Sequence, residues 1–122
     1  MTVQDIAKPY VEMCQTGKMH ECLDTLFSED AVSVEAFAPP GMDREAKGLD
    51  AIRGKGKWWA ENHTVHSAEV TGPYPHGDRF AVRMVFDVTN KPSQRRMTMD
   101  EIGLFTVKDG KITREEFFYS GG

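Results

Sequence analysis

Apolar residues recur at helical spacing from the start of the chain. Val3, Ile6, Tyr10, Met13 and Cys14 fall on one face, and Thr2 with Asp5 forms a capping-box pattern, so a helix is expected as far as Gly17. Pro9 lies inside it. Proline removes a backbone donor and clashes with the preceding turn, so the pattern predicts a kink there or a helix that begins near Lys8. Met19, Cys22, Leu23, Leu26 and Phe27 then predict a short second helix ending before Ser28, and the two make a helical hairpin.

From Ala31 to Phe37 the period shortens to two. Val32 and Val34 alternate with Ser33 and Glu35, a half-buried strand pattern closed by Pro39, Pro40 and Gly41. Asp50 is expected to cap a third helix, Ala51 to Asn62, which carries Ile52, Trp58 and Trp59. Gly54 and Gly56 weaken that helix by about 1 kcal/mol each relative to alanine, and close packing on a sheet would account for them.

Everything after His63 reads as strands: Val65 to Tyr74, Arg79 to Thr89, Arg95 to Val107 and Lys111 to Tyr119, separated by turn-forming segments. Helical segments followed by a run of long strands imply an α+β fold. The expected architecture is a cone-shaped, curved antiparallel sheet wrapped around three N-terminal helical segments, in a single domain spanning residues 1–122.

Composition narrows the possible partners. Nineteen acidic against fifteen basic residues leave a net charge of -4, and no basic face gathers, so nucleic acid is not an expected partner. Arg53, Lys55 and Lys57 stand at alternate positions of the third helix, which spreads them around its axis as a solvated face. No stretch approaches the roughly twenty apolar residues that cross a bilayer, and residues 1–8 lack the apolar core of a signal peptide. A cytoplasmic protein without membrane contact is expected. Cys14 and Cys22 show no metal-type or redox-type spacing and read as buried thiols. His63 and His66 point to opposite faces of a strand, and His20 and His76 lie in turn or surface regions, so neither a metal site nor a cofactor is expected.

The candidate chemistry is carboxylate chemistry. Glu35 lies beside Ala36 and Phe37 on a strand whose other face holds Val32 and Val34, so its carboxylate points either to water or into an enclosed space. Inward, desolvation would favour its protonated form and make it a candidate general base. In Arg95 to Val107, Glu101 shares a face with Met97, Met99, Gly103, Phe105 and Val107, and a carboxylate in such company needs a partner or a proton. Structural pairing of Glu101 with Arg83 or Arg114 from adjacent strands is the alternative. Tyr10 is either a core phenol or a donor to an oxygen facing it. Trp58 and Trp59 diverge by about 100° on a helix, so one of them lines the cavity mouth. His66, Met99 and Phe105 complete the candidate ligand-binding set.

Three segments carry a resemblance: Leu26-Phe27-Ser28-Glu29-Asp30-Ala31-Val32, Gly48-Leu49-Asp50-Ala51-Ile52-Arg53, and Phe105-Thr106-Val107-Lys108-Asp109-Gly110-Lys111-Ile112 with the following Arg114-Glu115-Glu116-Phe117-Phe118-Tyr119. Their order over nearly the whole chain resembles the nuclear-transport-factor-2-like superfamily, in particular its SnoaL-like and ketosteroid-isomerase-like branches. The ketosteroid isomerase pattern has a tyrosine on the first helix, a carboxylate base at the end of the first strand and a protonated carboxylic acid on the penultimate strand. Tyr10, Glu35 and Glu101 stand at similar positions, with Glu where that pattern has Asp. The resemblance implies an apolar pocket for a small molecule, an isomerase- or cyclase-type activity in which Glu35 takes a proton beside a carbonyl while Tyr10 and protonated Glu101 stabilise the oxyanion, and a homodimer. The alternative is a non-catalytic module that binds a ligand or pairs through its sheet.

Overall fold

The computed structural model describes residues 2–38 and 40–120; Pro39, one of the residues expected to close the first strand, lies outside them. Helix α1, Val3–Gln15, is closed at its start by the expected capping box: Thr2 N–H donates to Asp5 Oδ2 at 2.9 Å, and Asp5 N–H donates to Thr2 Oγ1 at 3.4 Å. Its buried stripe is Ile6, Ala7, Tyr10 and Val11. The helix runs through Pro9 rather than starting at Lys8, because the capping box fixes its first turn before the proline. Helix α2, Met19–Leu26, buries Cys22, Leu23 and Leu26 and leads directly into strand β1, Phe27–Val34. That strand begins four residues before the sequence pattern suggests and ends before Glu35.

A short strand β2, Glu45–Lys47, which the alternation does not reveal, pairs antiparallel with β1. Helix α3, Leu49–Asn62, starts behind Gly48 instead of Asp50. Gly48 has φ 93°, a left-handed conformation that suits glycine, and from it the backbone N–H donates to Ala31 O at 2.8 Å while its C=O opens the helix. Gly54 and Gly56 face open space, so close approach to the sheet is not their reason. The remaining strands are β3, His63–His76; β4, Arg79–Asn90; β5, Arg95–Lys108; and β6, Lys111–Phe118.

The sheet order is β2-β1-β6-β5-β4-β3. The expected antiparallel sheet is in fact mixed: β1 and β6 run parallel, with Ser33 opposite Glu115, while every other pairing is antiparallel. The cause is the long path between them: α3 carries the chain to the far edge, and the β3 to β6 meander returns it beside β1. Three helices pack on one face of this curved, unclosed sheet, which is the α+β cone. The core between them joins Ile6, Tyr10, Leu23 and Phe27 to Phe80, Val82, Phe105 and Ile112. No helix among the described residues is long and apolar enough to cross a membrane.

Candidate functional site

Alternation along the two central strands builds the inner wall of the cone. On β5 the inward residues are Met99, Glu101, Gly103 and Phe105; on β6, Glu115 and Phe117 stand opposite Phe105 and Gly103, and Tyr119 follows just past the ladder. Burial rises along this wall. Met99 and Glu101 are half-buried, whereas Gly103 and Phe105 are buried. Gly103 is required by close approach: a Cβ there would lie 2.7 Å from the Phe105 ring and 3.3 Å from Phe117.

Glu35 points inward. Its backbone is pinned just beyond β1 by Arg44, whose C=O accepts from Glu35 N–H at 2.9 Å and whose guanidinium donates to Glu35 O at 3.0 Å. Each carboxylate oxygen has its own donor: Lys55 Nζ donates to Oε2 at 2.8 Å, and the Tyr119 hydroxyl donates to Oε1 at 2.9 Å. Lys55 also donates to Ser33 Oγ and lies 5.3 Å from the centre of the Phe117 ring. The Lys55 and Glu35 side chains are each 31% exposed, so the pair is sheltered without being sealed from a ligand.

Three further groups respond to this setting. Burial, then the Glu35 charge, pushes the Glu101 carboxyl up to about 7, with Lys55 acting against the rise. Burial raises the Glu115 carboxyl, while the Ser33 hydroxyl and Lys55 pull it down. The Tyr119 phenol is raised by burial and by its hydrogen bond to Glu35. Glu101 has neither of the expected arginine partners: Arg83 pairs with Asp100 at 2.7 Å and Arg114 with Glu116 at 3.4 Å, both on the opposite face.

Of the sequence candidates, the structure brings Glu35 and Glu101 together, with Trp59 and Met99 on the same side. Trp59 packs 5.9 Å from Phe86, the cross-strand partner of Met99, and stacks on His63 at 4.5 Å. Trp58 turns out to solvent, 57% exposed. Tyr10 is not hydrogen-bonded to Glu35 or Glu101, and of the carboxyls only Glu115 acts on its phenol. It is buried among Phe27, Phe80 and Phe105, at 4.4 Å from the last, and its hydroxyl is beside the Cys14 thiol. Phe105 belongs to the same aromatic core. His66 is exposed and shares a hydrogen bond of 2.7 Å with Thr89, away from the cluster.

A groove of about 630 Å³ lies on the other side of β6 between Met42, Arg44, Arg114 and Glu116, and a smaller one of about 230 Å³ lies between Tyr74 and Leu104. Sequence reasoning missed Lys55, Ser33, Glu115 and Tyr119. The signal for Lys55 was its spacing from Ile52 and Trp59, three and four positions away, which puts it on their inward face. For Glu115 and Tyr119 it was alternation with Phe117. Among the described residues no three His, Cys, Asp or Glu side chains are grouped to hold a metal.

A family model described as a SnoaL-like domain matches residues 1–119. The chain belongs to the SnoaL-like family. A Mesorhizobium loti crystal structure described as a proposed SnoaL-like polyketide cyclase, with carbohydrate phosphatase given beside it, is 45% identical, with a TM-score of 0.92 over 98% of this chain and 100% of that one. A ketosteroid-isomerase-like fold from Catenulispora acidiphila, solved with trimethylamine, is 21% identical, with a TM-score of 0.73 over 98% and 88%. A Silicibacter sp. structure described as a proposed polyketide cyclase is 17% identical, with a TM-score of 0.72 over 97% and 88%. The last two show the fold alone. A search of curated proteins returns no match.

Proposed function

We propose that this SnoaL-like protein is an acid–base enzyme of the isomerase or cyclase type, acting on a small, largely apolar carbonyl compound at the half-buried end of the cone. The observation that carries this reading is a pair of carboxyls in unlike surroundings. Glu35 is paired with an ammonium and a phenol, whereas Glu101, with no ion-pair partner among the described residues and pushed up to about 7, holds its proton far more readily than an ordinary carboxyl. Each Glu35 oxygen keeps a lone pair beyond the bond it accepts.

Glu35 takes the proton from the carbon beside the substrate carbonyl, and the electron pair moves onto the carbonyl oxygen, where the Glu101 hydroxyl donates to it. Return of the proton at another carbon gives an isomer; attack of the carbanionic carbon on a second carbonyl closes a ring. The description of the Mesorhizobium loti relative supports the second outcome. Trp59, Phe86 and Met99 supply the apolar side of the site.

The test does not need the natural substrate. Proton-for-deuterium exchange beside the carbonyl of bicyclic ketones such as tetralones is followed by NMR in D2O. Exchange above buffer that is lost in Glu35→Gln supports the reading; no exchange with any ketone, or equal exchange in the variant, defeats the catalytic proposal.

A second reading, a non-catalytic dimeric module, draws on the outer sheet face, where Tyr74, Ile102 and Phe118 are 62%, 39% and 49% exposed around the Arg83–Asp100 pair. We propose pairing of two copies through this face. Light scattering would report a dimer that Ile102→Asp dissociates; a wild-type monomer would exclude it.

A further inference from the structure

Helix α3 sends one lysine inward and two cationic neighbours outward. Arg53 pairs with Asp24 and Lys57 with Glu61 at 4.0 Å, both at the surface. Lys55 shares its face with the buried Ile52 and with Trp59, and its ammonium reaches the end of β1. The hydroxyl it meets there is on Ser33, which has no exposed surface and stands opposite Glu115 on β6. The lysine is therefore held at two points, on Ser33 deeper in the cone and on Glu35 nearer its opening.

The arrangement leaves Glu35 little freedom. With Lys55 on one oxygen and Tyr119 on the other, the carboxylate turns to bulk water only by giving up both bonds. Glu101 meets Glu35 from just past the end of β1, Lys55 from α3, Glu115 from β6 and Tyr119 from just beyond it. Its cross-strand partner on β4 is the uncharged Met84. Two of these neighbours are carboxyls and oppose a further negative charge, and Lys55 offsets them.

We propose that Lys55 is a positioning residue of this site: seated on Ser33, it holds the Glu35 carboxylate turned into the cone and sets a positive charge facing Glu101. The purpose of that role rests on the acid–base reading above, but its test is independent of turnover. Carboxyl shifts of 13C-labelled glutamate are followed against pH, with Glu101 assigned through Glu101→Gln. The wild-type midpoint is expected near about 7. Lys55→Met is expected to raise it by about 0.5 to 1 pH unit, by loss of one nearby charge. Lys55→Arg, which keeps the charge, returns it close to the wild-type value, and Glu35→Gln moves it the other way.

Where the methionine variant does not fold, Lys55→Gln keeps a donor for Glu35 while losing the charge, and the same upward shift is expected. An unchanged Glu101 midpoint in a folded neutral variant overturns the proposal. If instead no ketone exchanges in the wild type while the midpoint moves as stated, the acid–base reading fails and the charge that Lys55 sets facing Glu101 stands.

Discussion

Replacing Glu101 with glutamine removes a proton-binding group whose affinity differs between the folded and unfolded chain. The carboxyl titrates near 4.5 when free and is pushed up to about 7 in the folded protein. A raised folded value means that the native state binds the proton more tightly, so this contribution to stability is fully present below about pH 4.5 and is lost as pH rises through about 7. The interval of about 2.5 pH units, at about 1.4 kcal/mol each, sets a ceiling of about 3.5 kcal/mol, of which about 2.5 falls between pH 5 and pH 8, and water reaching a half-buried side chain reduces it. Urea unfolding of both proteins from pH 5 to pH 8 measures the difference. The wild type is expected to lose about 1 to 2 kcal/mol relative to Glu101→Gln over that range. Glu115 shifts in the same direction but is present in both proteins, so it cancels to first order. Parallel stability curves would refute the reasoning, because Glu101 would then be as well solvated folded as unfolded.

Other substitutions separate core from site. Tyr10→Phe loses a hydroxyl that is bonded to the Cys14 thiol and not to Glu101, so a stability change of about 1 kcal/mol and little change in the Glu101 titration are expected from urea unfolding and NMR. Tyr119→Phe loses a donor to Glu35 and is expected to slow ketone exchange roughly tenfold with little change in stability. Gly103→Ala forces a methyl group against Phe105 and should cost about 1 to 3 kcal/mol in urea unfolding. Trp58→Ala should change stability by no more than about 0.5 kcal/mol, whereas Trp59→Ala, which strips the contacts to Phe86 and His63, should cost several times that.

Local signals in the sequence proved dependable where neighbouring residues settle the outcome. The Thr2–Asp5 capping box, the stripe through Ile6 and Tyr10, and the alternation that puts Met99, Glu101 and Phe105 on one side of β5 all depend on residues a few positions apart. The parallel pairing of β1 with β6 depends on residues about eighty positions apart, and no local period encodes it. Its consequence is direct: that pairing places Ser33 beside Glu115 and brings Tyr119 to Glu35. Lys55 was hidden for another reason. A lysine between two glycines on a charged helix reads as solvated, and only the depth of its helical face, fixed by Ile52 and Trp59, turns it inward. Tyr10 has the position that the ketosteroid isomerase pattern asks for, yet Phe105 and Phe80 pack against it and leave its hydroxyl in the core.

The central claim is that a ligand oxygen meets protonated Glu101 at the half-buried end of the cone. Binding of 2-naphthol, an apolar body with one hydroxyl, tests it most directly when followed by NMR from pH 5 to pH 8 in the wild type and in Glu101→Gln. The account predicts that Trp59 and Met99 signals move on binding, that wild-type affinity falls as pH passes about 7, and that the glutamine variant binds without that dependence. Signals moving at Met42 and Arg114 instead, or wild-type affinity that is flat across this range, would contradict it.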